Sequence, residues 1–323
     1  MMMNTSKNQF SLSRGTVIRG KWHKQTYIVE RELGRGATGT VFLVKGKDGS
    51  LALKLSSQLS ITSEINVLKA FNKVQGSSLG PYLVDEDDWE AGGQTYPFYV
   101  MEYIQGPTLS SFIEKKGASW IGVLLLQLLE NLQALHQEGW IFGDIKPDNL
   151  LVAGPPFRLR CIDVGGTTKQ GRAVKEYTEF FDRGYWGAGS RTADPAYDVF
   201  AAAMVAVNLI YPNRFNKDEH GVKGVISRIK QKKEFEPYAP VLIRALEGRY
   251  VSAWQMREDL MASLSPGNVR PNSPPLRRNV SAGRIAGRST IKKQQRIRQR
   301  FKAAAAIITI TFLYALYVFL ELL

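Results

Sequence analysis

Residues 144–149 read DIKPDN: an aspartate, a lysine two positions on, and an asparagine three beyond that. A carboxylate beside a reacting hydroxyl can orient it and take its proton. An ammonium group can offset the charge of a moving phosphoryl group, and an amide oxygen can ligate a hard cation such as Mg2+. Asp144, Lys146 and Asn149 therefore have the types and spacing for phosphoryl transfer. The bland alternative is a polar turn, for which Pro147 and Asp148 are ordinary residues. Asp163, in CIDVGG, follows Asn149 by fourteen residues, room for one hairpin that would return it to the same metal ion.

Two further stretches could handle phosphate. GRGATGTV (34–41) spaces Gly34, Gly36 and Gly39 ahead of Val41. Glycines let a backbone approach phosphates closely and present its N–H groups. A dinucleotide-binding loop would run from strand to helix. Here strand-like TVFLVKG follows at once, so the glycines are expected to form a hairpin lid rather than that loop. Lys54, in LALK, can neutralise phosphates if a carboxylate holds it, and Glu64 is the candidate.

The elements that must position these groups are legible in outline. TYIVEREL (26–33), TVFLVKG (40–46), SLALKLS and PFYVMEYI read as strands, with β-branched residues and glycines between them. ITSEINVLKAF has a helical period, with Ile61, Ile65 and Leu68 on one face and Glu64 beside it. From WIGVLLLQLLENLQALHQEG onward the chain is mostly helical, and Leu150–Leu151 are expected to continue as a short buried strand. A strand-rich front followed by a helical back is an α+β order.

Taken in order, G-x-G-x-x-G-x-V, Lys54, Glu64, MEYIQGPTL, DIKPDNLL and IDVG resemble a eukaryotic-like (Hanks-type) bacterial Ser/Thr protein kinase, over about residues 25–264. With its basic linker and apolar C-terminus, the arrangement is similar to the membrane-anchored YabT-like kinases of Bacillus. The resemblance implies a bilobal fold, with a five-stranded N-lobe and a helical C-lobe. It implies ATP and Mg2+ (or Mn2+) as cofactors, and as acceptors protein substrates and the kinase itself. Adenine would lie against a hinge at Glu102, Tyr103 and Ile104, beside Met101, and between Val41, Ala52 and Leu151. Asn149 and Asp163 would be the metal ligands.

The sequence also departs from that family. Phe142 stands where His is usual, Gly143 where Arg is usual, and Val164 where Phe is usual. Val164 is expected to leave the apolar column between the lobes underfilled. Without an Arg at 143, a phosphate on Thr167, Thr168, Tyr177 or Thr178 lacks its main charge-assisted partner. DRGYWGAGSRTADPAYD offers no Glu to pair with Arg249, so Arg249 needs another partner, whereas Asp198 fits the start of a long helix. Two rivals follow from these departures: a small-molecule phosphotransferase of the same fold, suggested by the Gly-Asp before Ile145, and a catalytically silent tether. The phosphate- and metal-handling groups are all present, which favours a live site.

The chain has 323 residues and one cysteine, Cys161, which excludes an internal disulfide and fits a reducing compartment. The N-terminus MMMNTSKNQF lacks the apolar run of a secretory signal. The net charge of +14 is concentrated in one segment. Arg270, Arg277, Arg278, Arg284, Arg288, Lys292, Lys293, Arg296, Arg298, Arg300 and Lys302 include no acid among them. Removing these eleven and Glu321 from the total leaves +4 for residues 1–269. Residues 303–323 are apolar on every face and, at ~1.5 Å per residue, long enough for one hydrocarbon core. The expected domains are an N-terminal extension (1–24), a kinase domain (25–265), a basic flexible segment (266–302) and a transmembrane helix (303–323). The basic flank places the kinase domain on the cytoplasmic side of the cell membrane. The basic segment is expected to contact DNA or anionic lipid; it has no aromatic residue for base stacking.

Overall fold

Apolar residues that alternate with polar ones build the front half. The structure, a computed structural model, describes residues 10–36, 38–56, 61–73 and 79–265. Six antiparallel strands, Val17–Arg19 (β1), Thr26–Gly36 (β2), Gly39–Gly46 (β3), Gly49–Leu55 (β4), Leu83–Ala91 (β5) and Gln94–Glu102 (β6), form one sheet in the order β1-β2-β3-β4-β6-β5. Tyr27, Val29, Phe42, Val44, Leu53, Leu55, Phe98 and Val100 point to one face and close a small core with Ile18. Helix Ile61–Lys73 (α1) packs on β5 and β6.

The sheet differs from the expected five strands at its N-terminal edge. β1 lies within residues read as an extension, and its Ile18 is fully buried. The chain after β1 then bridges to β5: Gly20 pairs with Trp89, and Lys21 N–H donates to the Asp88 carbonyl at 2.7 Å. The buried Asp87 carboxylate accepts the N–H groups of Trp22 (2.9 Å) and His23 (2.7 Å). A Cβ at Gly20 would stand 2.2 Å from Asp87 Oδ2, so a glycine is needed for this close approach. The two edge strands thus satisfy part of each other's backbone instead of facing water. His23 also meets Asp85 at 2.6 Å, which raises its imidazole pKa above the ordinary value.

The back half is helical: Leu109–Lys116 (α2), Trp120–Gln137 (α3), Pro195–Ile210 (α4), Val222–Gln231 (α5), Ala239–Leu246 (α6) and Ala253–Leu264 (α7). α4 is the central rod. Its residues from Tyr197 to Asn208 are all buried, and the small side chains of Ala201, Ala202, Ala203 and Ala206 allow neighbours close on every side. Asp194 caps it by accepting the Tyr197 N–H at 3.0 Å. Between α3 and α4 run the short strands Trp140–Ile141 (β7), Leu150–Ala153 (β8), Arg158–Cys161 (β9) and Thr168–Lys169 (β10), paired β8 with β9 and β7 with β10.

A single apolar cluster joins α1 to the helical half through Leu68, Phe71, Leu79, Phe142 and Val164. Val164 is buried, and the Phe71 ring lies close over Gly80 beside it. A Cβ there would fall 2.4 Å from Phe71 and 3.6 Å from Val164 Cγ1. Among the described residues, no helix is long and apolar enough to cross a membrane. The expected span (303–323) and the basic segment (266–302) lie outside the described residues.

Candidate active site

The hairpin register brings the candidate groups into one cleft. On adjacent strands β3, β4 and β6, Val41 stands opposite Lys54, and Lys54 opposite Tyr99; Ala52 stands opposite Met101. Lys54 Nζ donates to Glu64 Oε2 at 2.6 Å, and the pair is almost wholly buried. Two donors not foreseen from sequence complete the Glu64 carboxylate. Tyr99 Oη donates to Oε2 at 2.8 Å, and Thr38 Oγ1 donates to Oε1 at 3.1 Å. Burial and the Glu64 charge together hold the Tyr99 phenol well above its usual range, so it stays a donor. The helix carrying Glu64 is thereby tied to the sheet and to the lid.

The lid is the β2–β3 hairpin, with Gly36 opposite Gly39. Gly39 has φ +154°, and a Cβ there would lie 2.3 Å from the Leu55 carbonyl oxygen. A Cβ at Gly34 or Gly36 would meet no protein atom within 4 Å. The backbone there faces open space over the cleft, as a phosphate-approaching loop must. The cleft itself measures about 480 Å³ and is lined by Gly34, Gly36, Gly39, Val41, Ala52 and Lys54 from the sheet side, and by Glu102, Ile104, Asn149, Leu151 and Asp163 from below. Leu33, Pro81, Tyr99 and Gln105 join them without having been marked in the sequence. Glu102 is among the lining residues, but its carboxylate is already engaged. Its carboxylate takes two hydrogen bonds from Arg160 of β9, at 3.0 and 2.6 Å, so it is turned away to clamp the hinge to the lower half.

Below the cleft, Asp144 is buried and accepts from Lys146 Nζ at 2.5 Å. Asn149 Nδ2 donates to the Asp144 carbonyl at 3.2 Å and to its Oδ2 at 3.3 Å, leaving the amide oxygen for a cation. The β8–β9 hairpin carries the chain from Asn149 back to Asp163, and Ile162 N–H donates to the Asn149 carbonyl at 3.0 Å. Gly165 N–H donates to Asp163 Oδ1 at 2.9 Å. An ammonium group, an amide oxygen and a carboxylate converging on one cleft suit a polyphosphate and a hard, oxygen-preferring cation. Glu176, unmarked in the sequence, has its carboxyl pKa raised by burial and by the charges of Asp163, Asp144 and Glu64.

The loop carrying Asp144 is suspended from α4. Asp198, fully buried, accepts from Phe142 N at 2.8 Å and Gly143 N at 2.9 Å, and pairs with His136 Nε2 at 2.8 Å. The two substitutions that raised doubt about this loop have physical reasons. Phe142 gives Asp198 its backbone N–H while its buried ring packs in the apolar cluster between the halves. Gly143 sits at φ +85°, and a Cβ on it would come within 2.9 Å of the Gly166 carbonyl oxygen. A Cβ on Gly166 would in turn come within 2.9 Å of Asp144 Cβ. The loops carrying Asp144 and Asp163 therefore come together backbone to backbone. Restoring arginine by Gly143→Arg is expected to destabilise the fold by about 1–2 kcal/mol, from the left-handed backbone alone. A urea unfolding midpoint unchanged from wild type would refute this.

The activation segment between these loops and α4 is held without Arg249, which pairs with Glu247 at 2.8 Å on the surface. Thr178 Oγ1 donates to Asp144 Oδ1 at 3.3 Å. Thr167 and Thr168 are buried, whereas Tyr177 is exposed. Lys175 Nζ reaches Ser63 Oγ on α1 at 2.8 Å, bracing the segment against the helix that carries Glu64.

With this geometry in place, comparison with known families decides the assignment. Residues 27–251 match the family described as the protein kinase domain. The chain belongs to the protein kinase family. The kinase is 50% identical over 265 residues to the serine/threonine-protein kinase YabT of Bacillus subtilis, covering 80% of this chain and 78% of that one. It is 32% identical over 148 residues to a probable casein kinase I homolog of Encephalitozoon cuniculi, across 43% of this chain and 45% of the other. The solved structure of vaccinia related kinase 3 superposes with a TM-score of 0.58 at 15% identity, covering 79% of this chain and 91% of that one, which speaks to fold alone. The protein is a Ser/Thr kinase, and its family uses ATP with Mg2+ (or Mn2+).

Proposed function

We propose that this kinase transfers the γ-phosphoryl group of ATP to protein hydroxyls, its own included, while anchored in the cell membrane by residues 303–323 with its kinase domain cytoplasmic. In this reading Asp144 orients the acceptor hydroxyl and takes its proton. Lys146 offsets charge on the moving phosphoryl group, and Lys54, held by Glu64, steadies the phosphates. Asn149 and Asp163 hold the metal ion, which neutralises phosphate charge. The polypeptide acceptor is favoured over a small molecule because Thr178 is seated against Asp144 at the head of a structured docking segment. The segment from Arg270 to Lys302 binds DNA through phosphate contacts and thereby clusters and activates kinase molecules. The observation that carries the tether and the DNA contact is the pattern itself: eleven cations without an acid, then 21 apolar positions broken only by Glu321 and a few threonines.

The test is phosphate transfer by the full chain in neutral-lipid vesicles, with and without duplex DNA. Stimulation by DNA is expected, with DNA affinity falling by about 10³-fold or more between about 50 and about 200 mM salt. Affinity independent of salt, or stimulation only by vesicles carrying anionic lipid, would reject DNA and assign the segment to the membrane surface. Release of the full chain from membranes by high salt would reject the span.

A further inference from the structure

A polypeptide acceptor has to cross the segment that begins at Tyr177 to reach Asp144. This kinase lacks the Glu–Arg pair that could anchor the far end of that segment, since Arg249 is occupied elsewhere. A different group holds the segment. Asp182 has no exposed surface, and its carboxylate gathers donors from three places. Oδ1 accepts from Gly184 N at 3.0 Å and from Tyr197 Oη at 3.1 Å. Oδ2 accepts from Tyr185 N at 2.9 Å and from Arg191 Nε at 2.8 Å, and Arg191 Nη2 lies 2.7 Å from it. The two backbone donors would suffice for a local turn. Tyr197 and Arg191 reach beyond it, one to α4 and the other to the returning chain.

Arg191 carries the linkage onward. Its guanidinium lies over the Tyr177 ring, 4.1 Å from the centroid, where a cation is attracted to the π face. Tyr177 precedes Thr178, whose hydroxyl touches Asp144. Tyr197 precedes Asp198, which holds the backbone of Phe142 and Gly143. One turn of α4 therefore sets both walls of the acceptor site: the catalytic loop through Asp198, and the docking segment through Tyr197, Asp182, Arg191 and Tyr177.

We infer that Asp182 is a positioning residue for the polypeptide acceptor, acting through Arg191 and Tyr177 to seat Thr178 against Asp144. A second, separate clasp keeps the segment folded. Arg183 makes two bonds to Asp194, at 2.9 and 2.6 Å, and also donates to the Ser190 and Thr192 carbonyls. Loss of the Asp182 charge thus loosens the Tyr177 end without releasing the loop from α4. Nothing in the Asp182 linkage touches Lys54, Asn149 or Asp163, so nucleotide handling is independent of it.

The experiment uses the full chain with a histone as acceptor, comparing wild type with Asp182→Asn, Arg191→Gln, Arg191→Lys and the Asn/Gln double variant. Each of the two single losses is expected to raise KM for the histone about tenfold, while KM for ATP and acceptor-free ATP hydrolysis stay within about twofold. The double variant is expected to match the worse single, because both residues lie on one path. Arg191→Lys recovers part of the loss, keeping the charge but not the planar fork and stacking. If Asp182→Asn does not fold, Arg191→Gln, at a partly exposed position, carries the same expectation. An unchanged histone KM in a folded variant, ATP hydrolysis falling in step with it, or additive losses in the double variant would each overturn the inference.

Discussion

Asp144→Asn is expected to lower phosphate transfer to protein by about 10²–10⁴-fold, the range associated with a lost general base. The substitution keeps the shape of the side chain. Its carboxylate touches Lys146, Asn149 and Thr178, which the asparagine can still approach, so the loop should keep its conformation. Asp144 is absent from the lining of the nucleotide cleft, so ATP affinity should change by less than about threefold. Transfer of labelled phosphate from ATP, read beside nucleotide binding by the same preparation, separates the two. Transfer within tenfold of wild type would show that Asp144 only packs. Loss of nucleotide binding in parallel would show that the variant had collapsed the cleft rather than removed a base.

The largest effect on stability is expected at Asp198. This carboxylate has no exposed surface and satisfies three donors: the N–H groups of Phe142 and Gly143, and His136 Nε2. Asp198→Ala leaves all three unsatisfied in the core and should destabilise the fold by about 3–5 kcal/mol. Asp198→Asn retains one acceptor oxygen and should cost about half as much. Activity is expected to fall further than stability alone explains, because the Phe142–Gly143 backbone that precedes Asp144 would no longer be fixed. Urea midpoints of the two variants, with activity measured well below those midpoints, test the ordering. An alanine variant as stable as wild type would mean that α4 does not suspend the catalytic loop.

Gly143 shows why the departures from the family pattern looked worse in sequence than they are in space. As a missing arginine it suggests a lost regulatory contact. In the fold it is a residue at φ +85° with the Gly166 carbonyl oxygen 2.9 Å from where a Cβ would stand, a place that suits glycine. Val164 is similar: the shortened side chain is still buried, in one apolar cluster with Phe71, Leu79 and Phe142. Strand β5 was unreadable for another reason. LVDEDDWEA has five acids in six positions, which looks like a solvated loop. The acids are tolerated in a strand because all five find a partner across the lobe: Asp85 with His23 and Tyr27, Glu86 with Lys69, Asp87 with backbone N–H groups, Asp88 with the Trp22 indole N–H, and Glu90 with Lys21.

By itself the sequence determined the chemistry and its order along the chain. Lys54, Glu64, Asp144, Lys146, Asn149 and Asp163, with the lid glycines, are recognisable because phosphate and metal handling demands particular functional groups at spacings short enough to be local. The α+β order was equally legible, since periodicity is a property of neighbouring residues. Only the tertiary structure decided how those groups are held. Tyr99 reaches Glu64 from β6 and Thr38 reaches it from the lid turn, Asp198 supports a loop 55 residues away, and the chain after β1 closes a sheet by meeting β5. These contacts join positions far apart in the chain, and their partners are ordinary polar residues. Burial and close approach in three dimensions, not residue type or spacing, make them matter.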